Sequence, residues 1–265
     1  MNLLWKPLSF GEYQAETTLL QANVKVYCDL TKLIQRHIFF YGGYEQQYCD
    51  HWIRFARRSK VVFDIGANVG LYSLLAAKTN PKASIHAFEP TPTIVDIFKQ
   101  NIQINDIRNI RVNEVAIGSQ SGNAILRDCR GDKGINEGMN FIECKDSECL
   151  DTDIPVNIIS VDDYCSKNKI NNIDIMKIDI EGGEYNALAG AKIMLSTQSI
   201  GCIMIEFIEW AMQRSGYSNE DLREILLEAN YKLYVLRSGG FFKVCSNEVL
   251  DGLNVFAFAK NFNFK

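Results

Sequence analysis

Val61-Val62-Phe63-Asp64-Ile65-Gly66-Ala67-Asn68-Val69-Gly70 is the stretch on which the fold turns. An apolar strand ends on a carboxylate, the chain turns at Gly66, and a helix starts near Gly70 with Leu71, Leu74 and Leu75 on one face. Glycines in such a turn adopt backbone conformations closed to other residues and let a ligand come close. The helix N-terminus adds unpaired N–H groups and a positive dipole end. A strand–turn–helix without a ligand is the competing reading. It gives the spacing of Asp64, Gly66, Asn68 and Gly70 no purpose.

Working outward, short apolar strands alternate with helical segments from Val61 to about Phe207, the rhythm of a parallel sheet covered on both faces. The strands expected are Val61–Ile65, Ser84–Phe88, Ile110–Ile117, Ile173–Ile178 and Ile200–Phe207. Thr91 and Pro92 open one helix, Gly183–Leu195 reads as another, and Ser218-Asn219-Glu220-Asp221 resembles a capping box. Lys232–Leu236 and Asn254–Ala259 read as an antiparallel hairpin joined through Gly239-Gly240. The expected class is therefore α/β, with residues 59–265 as the main domain. Ser119–Pro155 is a polar insertion over the sheet edge with one strand candidate, Asn123–Arg127. Residues 1–58 read as an extension or lid. There Val24, Val26 and Cys28 alternate with polar residues, and Tyr48, Trp52 and Phe55 recur at helical spacing.

Two cofactor types use a strand–glycine turn–helix. Dinucleotides prefer G-x-G-x-x-G, and here Asn68 stands for the second glycine and Leu71 for the third. A methionine moiety brings no pyrophosphate, tolerates Asn68, and offers an ammonium group that Asp64 can face. Glu89, 25 residues after Asp64, ends the second strand and is placed to accept both ribose hydroxyls of a nucleoside. In Asp174-Ile175-Met176-Lys177-Ile178-Asp179-Ile180-Glu181-Gly182-Gly183-Glu184, a buried strand carries a lysine and ends in carboxylates. Ligands of open α/β sheets sit beyond those strand ends, which puts Asp179 and Glu181 beside the first loop. Glu184 reads more simply as a first-turn acidic residue of the next helix.

The composition narrows the partners. With 47% hydrophobic and 23% charged residues the chain can bury a full core. A formal net charge of -4 argues against a nucleic-acid partner. The basic cluster Arg54, Arg57, Arg58 and Lys60 reads as a solvated helix face. No secretory signal or membrane span is expected. The 8 cysteines form no CxxC pair and read as reduced thiols of a cytoplasmic protein, without a zinc site.

Asp64-Ile65-Gly66-Ala67-Asn68-Val69-Gly70, Ala87-Phe88-Glu89-Pro90 and Lys177-Ile178-Asp179-Ile180-Glu181-Gly182 together resemble the FkbM-type methyltransferases. Tyr44-Glu45, Ala116-Ile117-Gly118 and Ser160-Val161-Asp162-Asp163 extend the resemblance over roughly residues 40–240. It implies a Rossmann-like, seven-stranded class I methyltransferase sheet. It also implies S-adenosyl-L-methionine as cofactor and O-methylation of a hydroxyl on a sugar, glycan, glycolipid or secondary metabolite. On that pattern Asp64, Gly66, Asn68 and Gly70 would hold the methionine part, Glu89 the ribose, and Ala116 would lie near the adenine. Asp179 would sit close to the transferring methyl.

Methylating an alkyl hydroxyl requires a base as charge develops on oxygen. The candidates are Asp179, Glu181 and Glu206, all at the carboxyl ends of expected strands. Of the three histidines, His86 lies inside a strand as a core residue, while His37 and His51 could reach the site only if the N-terminal segment closes over it. Asp179 with Glu181 also leaves a divalent cation open as a second cofactor. From other classes, an NAD-dependent oxidoreductase explains Gly66 and Glu89 but not Asn68. A non-catalytic binding protein on the same fold leaves the set Asp64, Glu89 and Asp179 unexplained.

Overall fold

The computed structural model describes residues 14–19, 22–30, 33–127, 141–143, 154–238 and 240–262. Strands β1 (Gln14–Leu19) and β2 (Val24–Asp29) pair antiparallel, and the alternation read in β2 buries Val24, Val26 and Cys28. Helix α1 (Leu33–Tyr41) follows, then α2 (Gln46–Ala56), which turns Cys49, Trp52, Ile53, Phe55 and Ala56 inward.

Next come β3 (Val61–Ile65), α3 (Leu71–Thr79), β4 (Ser84–Phe88) and α4 (Pro92–Ile104). Helix α3 is buried from Leu71 to Ala77 because the sheet lies on one side and α2 and β2 cover the other. A helix apolar all round needs such double cover. Strand β2 is fastened to α4 by two asparagines that act as strand partners. Asn101 accepts from the Tyr27 N–H (2.7 Å) and donates to the Val69 carbonyl (2.9 Å). Asn105 accepts from the Lys25 N–H (2.9 Å) and donates to the Lys25 carbonyl (2.7 Å).

The strand expected over Ile110–Ile117 divides. β5 (Ile110–Asn113) joins the main sheet, and the Asn113 side chain closes it by donating to the Ala87 carbonyl (3.0 Å). β6 (Ala116–Ile117) starts a second sheet with β7 (Gly122–Arg127), β8 (Phe141–Glu143) and β9 (Ile154–Ile159), in the order β6-β9-β7-β8. The insertion thus carries more strand than its polar composition suggests. Its residues 128–140 and 144–153 lie outside the described residues.

The chain continues through α5 (Val161–Asn168), β10 (Ile173–Ile178), α6 (Glu184–Ala189) and α7 (Lys192–Ser196). The single helix expected over Gly183–Leu195 breaks at Gly190. There an added Cβ would lie 2.1 Å from the Gly118 carbonyl oxygen, so only glycine lets the two backbones pass. Then follow β11 (Ile200–Phe207), α8 (Glu209–Arg214), α9 (Asn219–Glu228), β12 (Lys232–Arg237), β13 (Gly240–Lys243) and β14 (Leu253–Phe258). The capping box on α9 is present: Ser218 accepts from the Asp221 N–H, and Asp221 accepts from the Ser218 N–H.

The main sheet runs β13-β12-β14-β11-β10-β3-β4-β5. Its five strands from β11 to β5 are parallel, and β14 is antiparallel to both neighbours. Strand β13, inside the connection expected to be a plain turn, adds an eighth strand to the seven implied by the resemblance. Alternate residues feed two cores. Val62, Ile175 and Met204 pack with α2, α3 and β2, while Phe63, Met176 and Ile203 pack against α5, α6, α7 and α9. Residues of β2, α1 and α2 therefore share one core with β3 and β4.

Among the described residues, Cys28, Cys49, Cys165 and Cys202 are buried free thiols and Cys245 an exposed one. No helix of the described residues is long and apolar enough to cross a membrane. Arg54, Arg57, Arg58 and Lys60 are exposed at the end of α2 and beyond, as a solvated face.

Candidate active site

The turn after β3 is built around backbone approach. Gly66 has φ +78°, and a Cβ there would lie 1.9 Å from the Asp179 carbonyl oxygen. That contact brings the ends of β3 and β10 together, and the Asp179 N–H donates to the Ile65 carbonyl (3.1 Å). Asn68 sits in the left-handed region at φ 49°, a conformation asparagine tolerates better than most residues. Gly70, at φ +92°, is pressed against the Phe98 ring.

Every amide of the turn is already committed. Gly66 and Ala67 both donate to the Phe88 carbonyl (3.0 Å each), and Gly70 donates to the Ala67 carbonyl (2.8 Å). The Asn68 N–H donates to Glu89 Oε2 (3.1 Å), and the Val69 N–H to Asn68 Oδ1 (2.7 Å). A pyrophosphate laid on this turn would find no N–H between Gly66 and Gly70 to receive it. Glu89 is buried at the end of β4, with Oε1 accepting from the Thr91 N–H (3.0 Å). Burial pushes its carboxyl above the ordinary range, and the bonds from Thr91 and Asn68 pull it back. Thr91 stands at the N-cap of α4, yet its hydroxyl makes no bond to that helix.

These elements surround an open cleft. Of the residues singled out in the sequence, Gly66, Asn68, Glu89, Ala116, Asp179 and Glu181 line it. Phe88, Ile94, Val115, Ile117 and Leu126 form an apolar wall, partly from the second sheet, suited to a flat aromatic base. The N-terminal segment adds Ile38, Tyr44 and Glu45 to the lining. Asp64, Gly70 and Glu206 are not on the cleft wall.

Asp64 is 1% exposed and lies beneath the cleft. Its Oδ2 accepts from the Ser73 hydroxyl of α3 (2.6 Å), while Oδ1 has no hydrogen-bond partner among the described residues. Beside it on β10, in register, is Lys177. The Lys177 ammonium is buried, pairs with Asp179 Oδ2 at 2.6 Å, and lies 4.9 Å from the centre of the Tyr72 ring. Burial alone would lower the Lys177 pKa, but the charges of Asp179, Asp64 and Glu45 outweigh it and hold the ammonium above its ordinary range.

The remaining carboxyls differ in what they can do. Burial, then the charges of Asp179 and Glu184, push Glu181 up to about 8. Burial and the Asp179 charge also raise Glu206, which is hydrogen-bonded to Asp179 rather than open to the cleft. Glu184 opens α6 as expected and shapes the loop before it, accepting from the Ile180 and Gly182 N–H groups (2.8 Å each). His86 is a satisfied core residue. It bonds Ser84 (3.0 Å) and Tyr164 (2.8 Å), and burial lowers it to about 4. His51 packs on Phe241 and does not line the cleft, while exposed His37 lies edge-on to Tyr44.

Tyr44 and Glu45 were visible in the sequence only as part of the family resemblance. Glu45 Oε2 accepts from the Tyr72 hydroxyl (2.7 Å) and Oε1 from the Asn254 side-chain amide (3.0 Å). Tyr72 in turn holds Trp52, whose indole N–H donates to the Tyr72 carbonyl (2.9 Å). Among the described residues no group of three or more His, Cys, Asp or Glu side chains is arranged to hold a metal ion. Asp179, the better-placed half of the carboxylate pair considered for a cation, is taken up by Lys177. The donor set does not fit a divalent cation.

Residues 64–233 match the methyltransferase FkbM domain. The 2-O-methyltransferase NoeI of Sinorhizobium fredii is 28% identical over 145 residues, covering 51% of this chain and 59% of NoeI. The methyltransferase sdnD of Sordaria araneosa is 25% identical over 198 residues, covering 65% and 74%. The 31-O-demethyl-FK506 methyltransferase FkbM of Streptomyces tacrolimicus is 26% identical over 159 residues, covering 51% and 61%. The chain thus spans about six tenths of the length of NoeI and of that FkbM protein. The match runs through the turn after β3, the carboxylate ending β4 and the charged end of β10, and the chain belongs to the methyltransferase FkbM domain family.

Proposed function

We propose that this protein is an S-adenosyl-L-methionine-dependent O-methyltransferase acting on a hydroxyl of a sugar, glycan, glycolipid or secondary metabolite. The observation that carries the cofactor choice is the committed set of amides from Gly66 to Gly70. They suit a ligand that lies along the turn without phosphate, and disfavour NAD. The 2-O- and 31-O- positions in the names of two relatives support oxygen as the atom methylated. Free thiols at Cys28, Cys49, Cys165, Cys202 and Cys245 fit the reducing cytoplasm.

In this reading Gly66 and Asn68 hold the methionine part, with Gly70 fixing the turn and Asp64 acting from beneath. Glu89 accepts the ribose hydroxyls with its remaining lone pairs, and Ala116 lies against the adenine. S-adenosyl-L-methionine supplies an electrophilic methyl group on its sulfonium sulfur. The protein's part is to align an acceptor hydroxyl in line with that methyl and take its proton as charge develops. Asp179 is paired with Lys177 at 2.6 Å, and Glu206 is hydrogen-bonded to Asp179. Glu181, on the cleft wall and raised to about 8, is the carboxylate best matched to take a proton near neutral pH.

Calorimetric titration separates the readings. S-adenosylhomocysteine should bind the wild-type protein and NAD should not, and Glu89→Ala should abolish the first. NAD binding with no S-adenosylhomocysteine binding would overturn the proposal. Incubation with S-adenosyl-L-methionine and a panel of sugar and macrolide hydroxyls, read by mass spectrometry, then identifies the acceptor class.

A further inference from the structure

Glu45 is the carboxylate that the N-terminal segment adds to the cleft wall, and the protein spends local stability to put it there. Glu45 is the N-cap of α2, yet its side chain makes no capping bond and its backbone is left-handed at φ 50°, ψ 44°. An N-cap prefers extended backbone and a short side chain that bonds the helix amides. Strain of this kind persists where the surroundings over-determine it, and it clusters at ligand sites. Here the Tyr72 hydroxyl and the Asn254 amide grip one oxygen each. The carboxylate is thereby fixed on the cleft wall, opposite the first turn of α3, with further lone pairs on both oxygens.

The charge around it is unbalanced. Glu45, Asp64 and Asp179 all act on the Lys177 ammonium, and Lys177 forms its short contact with Asp179. Burial raises the carboxyls of Glu45 and Asp64 above the ordinary range, and a cationic ligand group beside them would favour their charged forms. Asp64, which the sequence offers for that purpose, is beneath the cleft and held by Ser73, whereas Glu45 is on its wall. We infer that Glu45 is the residue that receives the ammonium group of the methionine part of the cofactor, delivered from the N-terminal segment rather than from the glycine turn. Asp64, beneath the cleft, and Lys177, on its lining, are the fixed charges around it. The inference rests on the cofactor proposed above.

The test compares two ligands by calorimetry on the full chain. S-adenosylhomocysteine carries the ammonium group, and 5′-methylthioadenosine lacks the whole amino-acid part but keeps the adenosine and sulfur. Glu45→Gln should weaken S-adenosylhomocysteine about tenfold or more, the scale of a charge-assisted hydrogen bond. It should leave 5′-methylthioadenosine within about twofold, which also shows that the variant is folded. Equal weakening of both ligands would mean that Glu45 only holds the N-terminal segment in place, and would overturn the inference. So would unchanged or tighter S-adenosylhomocysteine binding. If Glu45→Gln does not fold, Glu45→Asp, which keeps the charge and shortens the reach, is read by the same criterion. Failure of wild-type protein to bind either ligand would instead sink the cofactor reading itself.

Discussion

Gly66 and Gly252 both have positive φ, at +78° and +71°, but in different surroundings. A Cβ on Gly252 meets nothing within 4 Å, so Gly252→Ala should cost only the left-handed penalty, about 1–2 kcal/mol. Gly66→Ala adds a collision with the Asp179 backbone and should cost clearly more. Urea unfolding of the two variants checks this, and equal losses would show that the β3–β10 contact is soft. Glu181 makes a prediction with a sign. Its carboxyl rises from the ordinary 4.5 to about 8 on folding, so its contribution is full below pH 4.5 and is lost as pH climbs through 8. Glu181→Gln has no such loss. Relative to wild type, its stability in urea should rise from pH 5 to about pH 8 and level off above that. Its kcat should fall, by about 10²–10⁴-fold if Glu181 is the base. A variant with normal kcat would return the role to Asp179. How much of the site could be read in advance follows from the same residues. Gly66, Asn68 and Glu89 announce themselves because strand, turn and carboxylate are neighbours in sequence. Glu45 does not, because what fixes it is Tyr72 together with Asn254, the latter 209 residues away.

At the scale of elements, the strands with continuous apolar runs were readable, since strands of a parallel sheet covered on both faces read as short unbroken hydrophobic runs bounded by turn residues. Strands β3, β4, β10 and β11 begin and end where their sequences suggest. What misleads are places where a distant backbone intervenes. The helix broken at Gly190 has an unbroken helical pattern, and only the Gly118 carbonyl lying against it explains the break. The parting of β5 from β6 likewise depends on the second sheet claiming Ala116 through Ile158. The attachment of β2 to α4 is equally silent in sequence, and it can be tested. Asn101→Ala strands the Tyr27 N–H and the Val69 carbonyl at about 1–3 kcal/mol per buried unsatisfied group. Amide exchange at Tyr27 should quicken in this variant while the β10 amides stay protected. Uniform acceleration would mean that the β1–β2 pair unfolds with the sheet and is not separately hung on α4.

The whole molecule is organised around a sheet with two cores, and the N-terminal segment supplies a large part of one of them. Val24, Val26, Ile38, Trp52 and Phe55 belong to the same apolar cluster as Val62, Leu74 and Ile85. Helix α3 presents buried apolar residues toward that segment as well as toward the sheet. Deleting residues 1–58 should therefore give a protein that binds a hydrophobic dye and unfolds without a cooperative transition. A cooperatively folded deletion variant would mark the segment as a detachable lid. The family match, which begins at residue 64, leaves this segment out although it walls the cleft with Ile38, Tyr44 and Glu45.

The hydrogen bond from the Trp52 indole to the Tyr72 carbonyl gives the protein an optical reporter of its own. Trp52 is 1% exposed, whereas Trp210 is 46% exposed, so their emission should differ in colour and in access to a quencher such as iodide. Tyr72 also holds Glu45 and faces Lys177, so any ligand that shifts that group alters the field at the Trp52 ring. Occupancy of the cleft should be visible as a change in the iodide-resistant, short-wavelength emission, with no label attached.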